Sequence, residues 1–284
     1  MAFLLLVVGG YAGARVPPVP GWLRLHAGGA GLWERQAVDS GAGRAYLPDP
    51  DGVLVQDLEG RRVGLVSGIR GAHSVALAED LGIGICSSGR SNSLSLFNLH
   101  TLQVEKELRT TGGNPEAVVF DPAQRRIFAF NQRGRNATAF DAFGGAVAGT
   151  IALGGTPGTA VADGRGFVFV SLKDTREVLV LDCWRLKVLR RVPVPAVADP
   201  SGLALDPVRG RLFVAGANRI MAILDSHSWK LLNTLPIGAD PGGTLCDPAT
   251  GWAYVSHQDG SITVINPDAT GQYRVASIMD RQGC

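Results

Sequence analysis

Short apolar runs alternate with clusters of Asp, Asn, Gly and Pro along almost the whole chain. After Pro200 the apolar runs cover residues 201–205, 211–215, 221–224 and 230–237, and turn-forming residues separate them. Runs of this length between such turns are typical of β-strands. Because no apolar periodicity of helical length accompanies them, the pattern predicts an all-β chain of short antiparallel strands.

The four-strand pattern recurs about every forty residues, and three kinds of residue mark the same points in each unit. An anchor opens the first strand, at Trp33, His73, Pro115, Pro157, Pro200 and Pro241. An acid follows each anchor, at Asp39, Glu79, Asp121, Asp163, Asp206 and Asp247. An Asp or Asn closes the third strand, at Asp57, Asn98, Asp141, Asp182, Asp225 and Asn266. A repeat with this period and four short strands predicts a β-propeller in which each unit is one blade.

The predicted strands do not divide into whole blades. Fourth-strand patterns end near Val66, Thr110, Leu153, Val194, Ile237 and Ile278. A seventh outer-strand pattern, at residues 22–26, precedes the first unit and has no inner strands before it. We therefore expect one propeller domain over residues 22–284, seven-bladed in design, with six complete blades and with blade 7 represented only by its N-terminal outer strand. This interpretation implies a truncated C-terminus, since the chain stops at residues 281–284, where the next inner strand should begin; the alternative is a six-bladed ring with an N-terminal arm.

Residues 1–14 form an apolar stretch that ends in the small residues Ala12, Gly13 and Ala14. The stretch is shorter than the roughly 20 residues that cross a bilayer, and it has the form of a signal peptide with its cleavage site. The basic residues that usually open such a peptide are missing, so we expect the natural start to lie further upstream. The alternative is a buried first strand. No later segment is long enough to be transmembrane.

Composition narrows the functional classes. Hydrophobic residues make up 45% of the chain and charged residues 18%, which is enough apolar material for a sizeable core. A net charge of +2 gives no strong signal for nucleic-acid binding. The four cysteines are widely spaced without a C-x-x-C motif, so zinc or redox chemistry is not expected, and Cys86 and Cys246 are predicted to be buried hydrophobes.

Several stretches resemble the YVTN family of β-propeller repeat proteins, in particular its YncE-like branch. They are residues 71–77 (GAHSVAL), 114–122 (NPEAVVFDP), 153–157 (LGGTP) and 199–207 (DPSGLALDP), in the order and spacing of successive blades. The resemblance implies an exported, seven-bladed bacterial propeller, periplasmic or secreted and a monomer when complete. It also implies a binding or scaffold protein without an established catalytic activity, and similar full-length chains continue past residues 282–283 into one more blade.

Any binding site is predicted at the mouth of the central channel, where the first strands of the blades begin. The candidate residues are the anchors and the positions after them: Trp33, Glu34, His73, Ser74, Glu116 and Ser201. Related sequences often have acids where this chain has Gly158 and Gly242. The candidate residues could therefore bind a cation or a polar ligand, or they could simply hydrogen-bond to one another and to channel water.

Three functions remain open. The first is a non-enzymatic protein without catalytic residues or cofactor, which binds a protein, a peptide or a cell-envelope component. The second is a lactonase or sugar-acid hydrolase with a divalent metal, such as Ca²⁺ or Zn²⁺, held by Glu34, His73 and Glu116. The third is a quinone-cofactor dehydrogenase, for which the chain offers only Trp33 near the channel and no adjacent cysteine pair. The repeated Asp-Pro pairs are interpreted as turn starters rather than metal ligands, and His257 is interpreted as an ordinary turn residue.

Overall fold

A computed structural model describes residues 36–279 and shows a six-bladed β-propeller. Each blade is a four-stranded antiparallel sheet in which the strands follow chain order. Blades 1 to 3 comprise β1 (Ala37–Asp39), β2 (Arg44–Asp49), β3 (Gly52–Asp57), β4 (Arg62–Ser67); β5 (Ala72–Ala78), β6 (Ile83–Ser88), β7 (Ser93–Asn98), β8 (Val104–Arg109); and β9 (Pro115–Asp121), β10 (Arg126–Asn131), β11 (Asn136–Asp141), β12 (Val147–Ala152).

Blades 4 to 6 repeat the arrangement. They comprise β13 (Pro157–Ala162), β14 (Phe167–Leu172), β15 (Glu177–Asp182), β16 (Lys187–Pro193); β17 (Pro200–Asp206), β18 (Arg211–Gly216), β19 (Ile220–Asp225), β20 (Leu231–Pro236); and β21 (Pro241–Asp247), β22 (Trp252–His257), β23 (Ile262–Pro267), β24 (Tyr273–Met279). The prediction of an all-β propeller with four-stranded blades is confirmed. In the unit after Pro200, the predicted strands match the observed ones to within one or two residues at each end.

The first strand of each blade faces the central axis. Consecutive first strands pack on one another from β1 through β5, β9, β13 and β17 to β21. The fourth strands lie outermost, and β8 exposes almost every side chain. Charged side chains on such an edge discourage pairing with another chain.

The core lies between blades rather than within them. Successive side chains of a strand point to opposite faces, so each strand contributes to two junctions. In β14, Val168 and Val170 pack against blade 3, whereas Phe169 packs against blade 5. A blade cannot bury both of its faces alone, and blades 2 to 5 are each stabilised by a neighbour on either side.

Six blades are found in the described residues, and the seven-bladed design predicted from the sequence is not confirmed. The outer strand predicted at residues 22–26, the predicted signal peptide at residues 1–14 and the end of the chain at residues 281–284 all lie outside the described range. The strands β21 and β1 make less contact with each other than any of the five consecutive pairs of first strands. Within residues 36–279, no helix has the length and apolar character needed to cross a membrane.

The repeated acids close turns, as predicted. The Oδ1 atom of Asp206 accepts hydrogen bonds from the N–H groups of Val208 and Arg209 at 2.9 and 3.0 Å. One assignment was wrong: β23 runs through Asn266, and Asp268 makes the equivalent turn in blade 6 by accepting from Thr270 N–H at 2.8 Å.

Candidate ligand-binding channel

The first strands enclose a cavity of about 400 Å³ on the propeller axis. Its wall is mostly aliphatic, with contributions such as Val75, Val118, Val161, Leu203 and Leu245. Small and β-branched residues suit the first strands because six such strands converge around one axis. The channel therefore combines aliphatic side chains with polar atoms that make up a large share of its wall.

A charged cluster lies at the mouth where the first strands begin. Glu116, the second residue of β9, has its carboxylate 3.6 Å from Nε2 of His73 and 3.9 Å from Nζ of Lys173. The Glu116 side chain is only 14% exposed, whereas those of His73 and Lys173 are 24% and 32% exposed. Three blades thus bring an acid, an imidazole and an ammonium together, and this cluster can donate and accept hydrogen bonds over a few ångströms.

Ser74 and Ser201 have structural contacts. Ser74 is buried, and its Oγ accepts a hydrogen bond from Val118 N–H at 3.4 Å, which links blades 2 and 3. The Oγ of Ser201 donates to the carbonyl of Pro241 at 3.3 Å, and the Ser201 carbonyl accepts from the hydroxyl of Thr159. Both serines therefore tie neighbouring first strands together.

The candidate residues thus fall into three groups. His73 and Glu116 meet at the mouth, Ser74 and Ser201 support the strands around it, and Trp33 and Glu34 lie outside the described residues.

Lys173 was not anticipated from the sequence. It follows the second strand of blade 4, and the residues at this position in blades 2, 3, 5 and 6 are Gly89, Gln132, Ala217 and Gln258. The signal that could have found it is this single charged residue in a column of uncharged ones. Its meaning depends on the distance to Glu116, which the repeat alone does not give.

Gly158 makes room for Lys173. A Cβ atom at this position would lie 2.7 Å from Ser171 Oγ, 3.1 Å from the Pro200 carbonyl oxygen and 3.2 Å from Cε of Lys173. An acid at residue 158 would therefore collide with its surroundings. The glycine that the sequence presents as a missing ligand thus lies in tight packing, where a larger residue would require Ser171 and Lys173 to move.

Two of the three residues predicted to bind a metal lie together in the structure. His73 and Glu116 lie side by side, but Glu34 is outside the described range. Among residues 36–279, no group of three His, Cys, Asp or Glu side chains is arranged to hold a metal. The ammonium of Lys173 beside Glu116 also opposes a second cation at this point.

The buried thiols are not placed for chemistry. Cys86, Cys183 and Cys246 are unpaired, and burial raises the pKa of both Cys86 and Cys246 to about 12. A thiol with so high a pKa is a poor nucleophile. The prediction that Cys86 is a small buried hydrophobe is confirmed, and Cys246 is partly buried.

His257 was wrongly interpreted as a turn residue. It ends β22 and is only 2% exposed. Its Nε2 shares a 2.8 Å hydrogen bond with the hydroxyl of Thr263. Burial lowers the pKa of His257, so the ring is a neutral core residue beneath Gly238.

No family model matches this chain, and comparison with curated proteins likewise gives no match. The repeat and the six blades make the chain a propeller repeat protein.

Proposed function

We propose that this propeller is a non-catalytic binding protein that recognises a protein, a peptide or a cell-envelope component at the His73 mouth of its central channel. The observation that supports this most directly is the convergence of His73, Glu116 and Lys173 in front of an aliphatic channel. A site with a charged mouth and apolar side chains behind it suits a ligand whose apolar part enters the channel while its charged group stays at the mouth. The propeller fold alone does not identify a function, because propellers serve many functions.

The test is saturable capture from an envelope extract by the immobilised protein. Lys173→Met removes the ammonium but keeps most of the side-chain volume, and it should abolish capture. The matched control is Lys230→Met, which changes an exposed lysine in a turn at the opposite end of the strands. Capture that is equal in wild type and Lys173→Met would contradict the proposed site, and the absence of any saturable partner would contradict the binding function.

We also propose that the chain is a seven-bladed, exported member of the YVTN-type repeat proteins. The motifs at residues 71–77, 114–122, 153–157 and 199–207 support the family, and the seventh outer-strand pattern at residues 22–26 supports a seventh position in the ring. In an experimental structure, consecutive blades should be related by a seventh of a full turn. A rotation of one sixth would overturn the seven-bladed design. For export, residues 1–14 fused to a periplasmic reporter should direct it across the membrane, and retention of the reporter in the cytoplasm would contradict export.

A further inference from the structure

A second cavity, of about 340 Å³, lies between blades 4 and 5 at the end of the propeller opposite the His73 mouth. Phe167 and Phe169 of β14 form one side, and Trp229, in the turn between β19 and β20, forms another. The remaining wall and rim consist of Asp163, Arg165, Leu189, Leu205, Pro207, Ser226 and His227. The Phe169 and Trp229 rings are 5.8 Å apart with an interplanar angle of 46°. The cavity is thus aromatic inside and polar at its edge.

Two other blade junctions have an arginine in this place, whereas the equivalent Arg211 of blade 5 pairs with Asp225 of its own blade. Arg126, the first residue of β10, crosses from blade 3 to blade 4 and donates from Nη1 to the carbonyls of Cys183 and Trp184, the latter at 3.0 Å. Arg44, the first residue of β2, crosses from blade 1 to blade 2 and donates to the Leu99 carbonyl at 3.1 Å. In both cases an arginine side chain reaches the carbonyls directly after the third strand of the next blade.

Blade 4 has Phe167 as the first residue of its second strand. The carbonyls equivalent to those of Cys183 and Trp184 belong to Ser226 and His227, which follow β19 and line the cavity. A phenyl ring cannot donate to these carbonyls. The cavity is therefore the counterpart of the places that Arg44 and Arg126 fill, with phenylalanine where those two blades have arginine.

The wall of the cavity also differs from the equivalent place in the junction between blades 3 and 4. Trp229 occupies the turn position that Leu186 has in blade 4, and both residues adopt positive φ, at 66° and 52°. Aromatic faces attract a guanidinium, which stacks on rings and is more weakly hydrated than an ammonium. On the rim, Asp163 uses Oδ1 to accept from the N–H groups of Arg165 and Phe167 at 2.8 and 2.9 Å. The charges of Asp163 and Arg165 offset each other, and selectivity must come from the carbonyls and the rings.

We propose that this cavity binds an arginine side chain of a partner polypeptide, in the place that Arg126 fills between blades 3 and 4. The guanidinium donates to the Ser226 and His227 carbonyls, and the aliphatic stem packs between Phe167 and Trp229. The planar, multiply donating guanidinium fits adjacent carbonyls better than a lysine ammonium does. The site is independent of the proposed function at the His73 mouth, because it is formed by other residues at the other end of the strands.

The test is calorimetric titration of the whole protein with acetyl-Gly-Arg-Gly-amide, whose termini carry no charge. The same peptide with citrulline in place of arginine keeps the shape but removes the charge. We expect saturable binding of the arginine peptide that is about tenfold or more tighter than that of the citrulline peptide, as for other hydrogen bonds to a charged group. Equal binding of the two peptides, or no saturation at millimolar arginine peptide, would overturn the proposal.

Two substitutions at one residue locate the site. Phe167→Arg should fold, because blades 1, 3 and 5 have arginine at this position, and it should abolish peptide binding by filling the cavity as Arg126 fills its equivalent. Phe167→Leu removes the ring without filling the cavity and should weaken binding while leaving it detectable. Lys173→Met should leave arginine binding unchanged, which separates this site from the His73 mouth. Undiminished binding to Phe167→Arg would show that the peptide binds elsewhere and would refute the assignment.

Discussion

Two neighbouring blade junctions, between blades 3 and 4 and between blades 4 and 5, are built from the same positions of the repeat. The first is closed at its outer edge, whereas the second leaves a cavity there. Toward blade 4, β10 presents Arg126 and Phe128, whereas toward blade 5, β14 presents Phe167 and Phe169. The inner position is a phenylalanine in both cases. The outer position is an arginine that closes the first junction and a phenylalanine that leaves the second with a cavity.

This difference separates two roles within one repeat. The inner phenylalanine contributes apolar burial, which any blade requires in order to pack on its neighbour. The outer residue contributes much less to the fold and determines whether the junction is sealed. Variation at such a position can therefore create a binding site without disturbing the ring.

The largest expected effect is at the inner position. Phe128 is fully buried and Phe169 is 3% exposed, so alanine at either position leaves a cavity. We expect Phe128→Ala to reduce the free energy of unfolding by about 3–5 kcal/mol. Phe169→Ala should reduce it by roughly 1 kcal/mol less, because Trp229 at the edge of the open cavity can move into the vacated space.

Urea unfolding of the two variants beside wild type measures this difference, and the slope of the transition checks that the folded states remain compact. A loss that is equal at the two positions would mean that the open junction is as rigid as the closed one. The two junctions would then not differ in how much the inner phenylalanine stabilises the fold.

The sequence was sufficient to predict the blades and much less informative about the junctions. Strands such as β17 and β18 were located because apolar runs and Asp or Gly turns repeat with one period, and a local signal repeated six times outweighs errors in single units. The same reliance on spacing misplaced the turn acid of blade 6, where β23 continues one residue beyond Asn266 and Asp268 closes the turn.

The features of greatest functional interest depend on which residues of different blades meet. Lys173 and Glu116 are far apart in the chain, and only the packing of blade 4 on blade 3 brings them within 3.9 Å. Phe167 is visible in the sequence as an apolar residue that starts a strand, but nothing local shows that arginines at its equivalents reach the next blade. The pairing of His73 with Glu116 was within reach, because His73 is an anchor and Glu116 directly follows one, at the starts of neighbouring first strands.

An intermediate effect is expected when the closed junction is opened. Arg126→Met keeps an apolar stem but removes the hydrogen bonds to the carbonyls of Cys183 and Trp184. The loss of hydrogen bonds from a charged donor should reduce stability by about 1–3 kcal/mol. Thermal unfolding measures it, with Arg190→Met on the exposed face of outer strand β16 as the matched control. Equal shifts of the unfolding temperature in the two variants would show that Arg126 does not seal the junction and that it does not differ from Phe167 in this respect.

The smallest expected effect concerns the repeat acid beneath each junction. Asp121, in blade 3, has no exposed surface, and burial raises its pKa, with a smaller contribution from the negative charge of Asp163. An acid whose pKa is raised by folding contributes stability that is fully present below its unfolded pKa and is lost as the pH rises through its folded pKa. The burial of Asp121 therefore costs stability as the pH rises above the ordinary range of an aspartate.

Asp121→Asn should remove this cost while an amide oxygen continues to accept the hydrogen bond from Gln124 N–H, now 3.1 Å from the carboxylate. We expect the variant to be more stable than wild type at pH 7, by an amount on the order of 1 kcal/mol, and the advantage to vanish as the pH falls below about 4. Urea midpoints at a series of pH values measure it. Asp163→Asn, the same change at the half-buried rim of the open junction, should alter stability less. If Asp121→Asn is instead less stable than wild type at pH 7, the carboxylate makes favourable contacts that outweigh the cost of its burial.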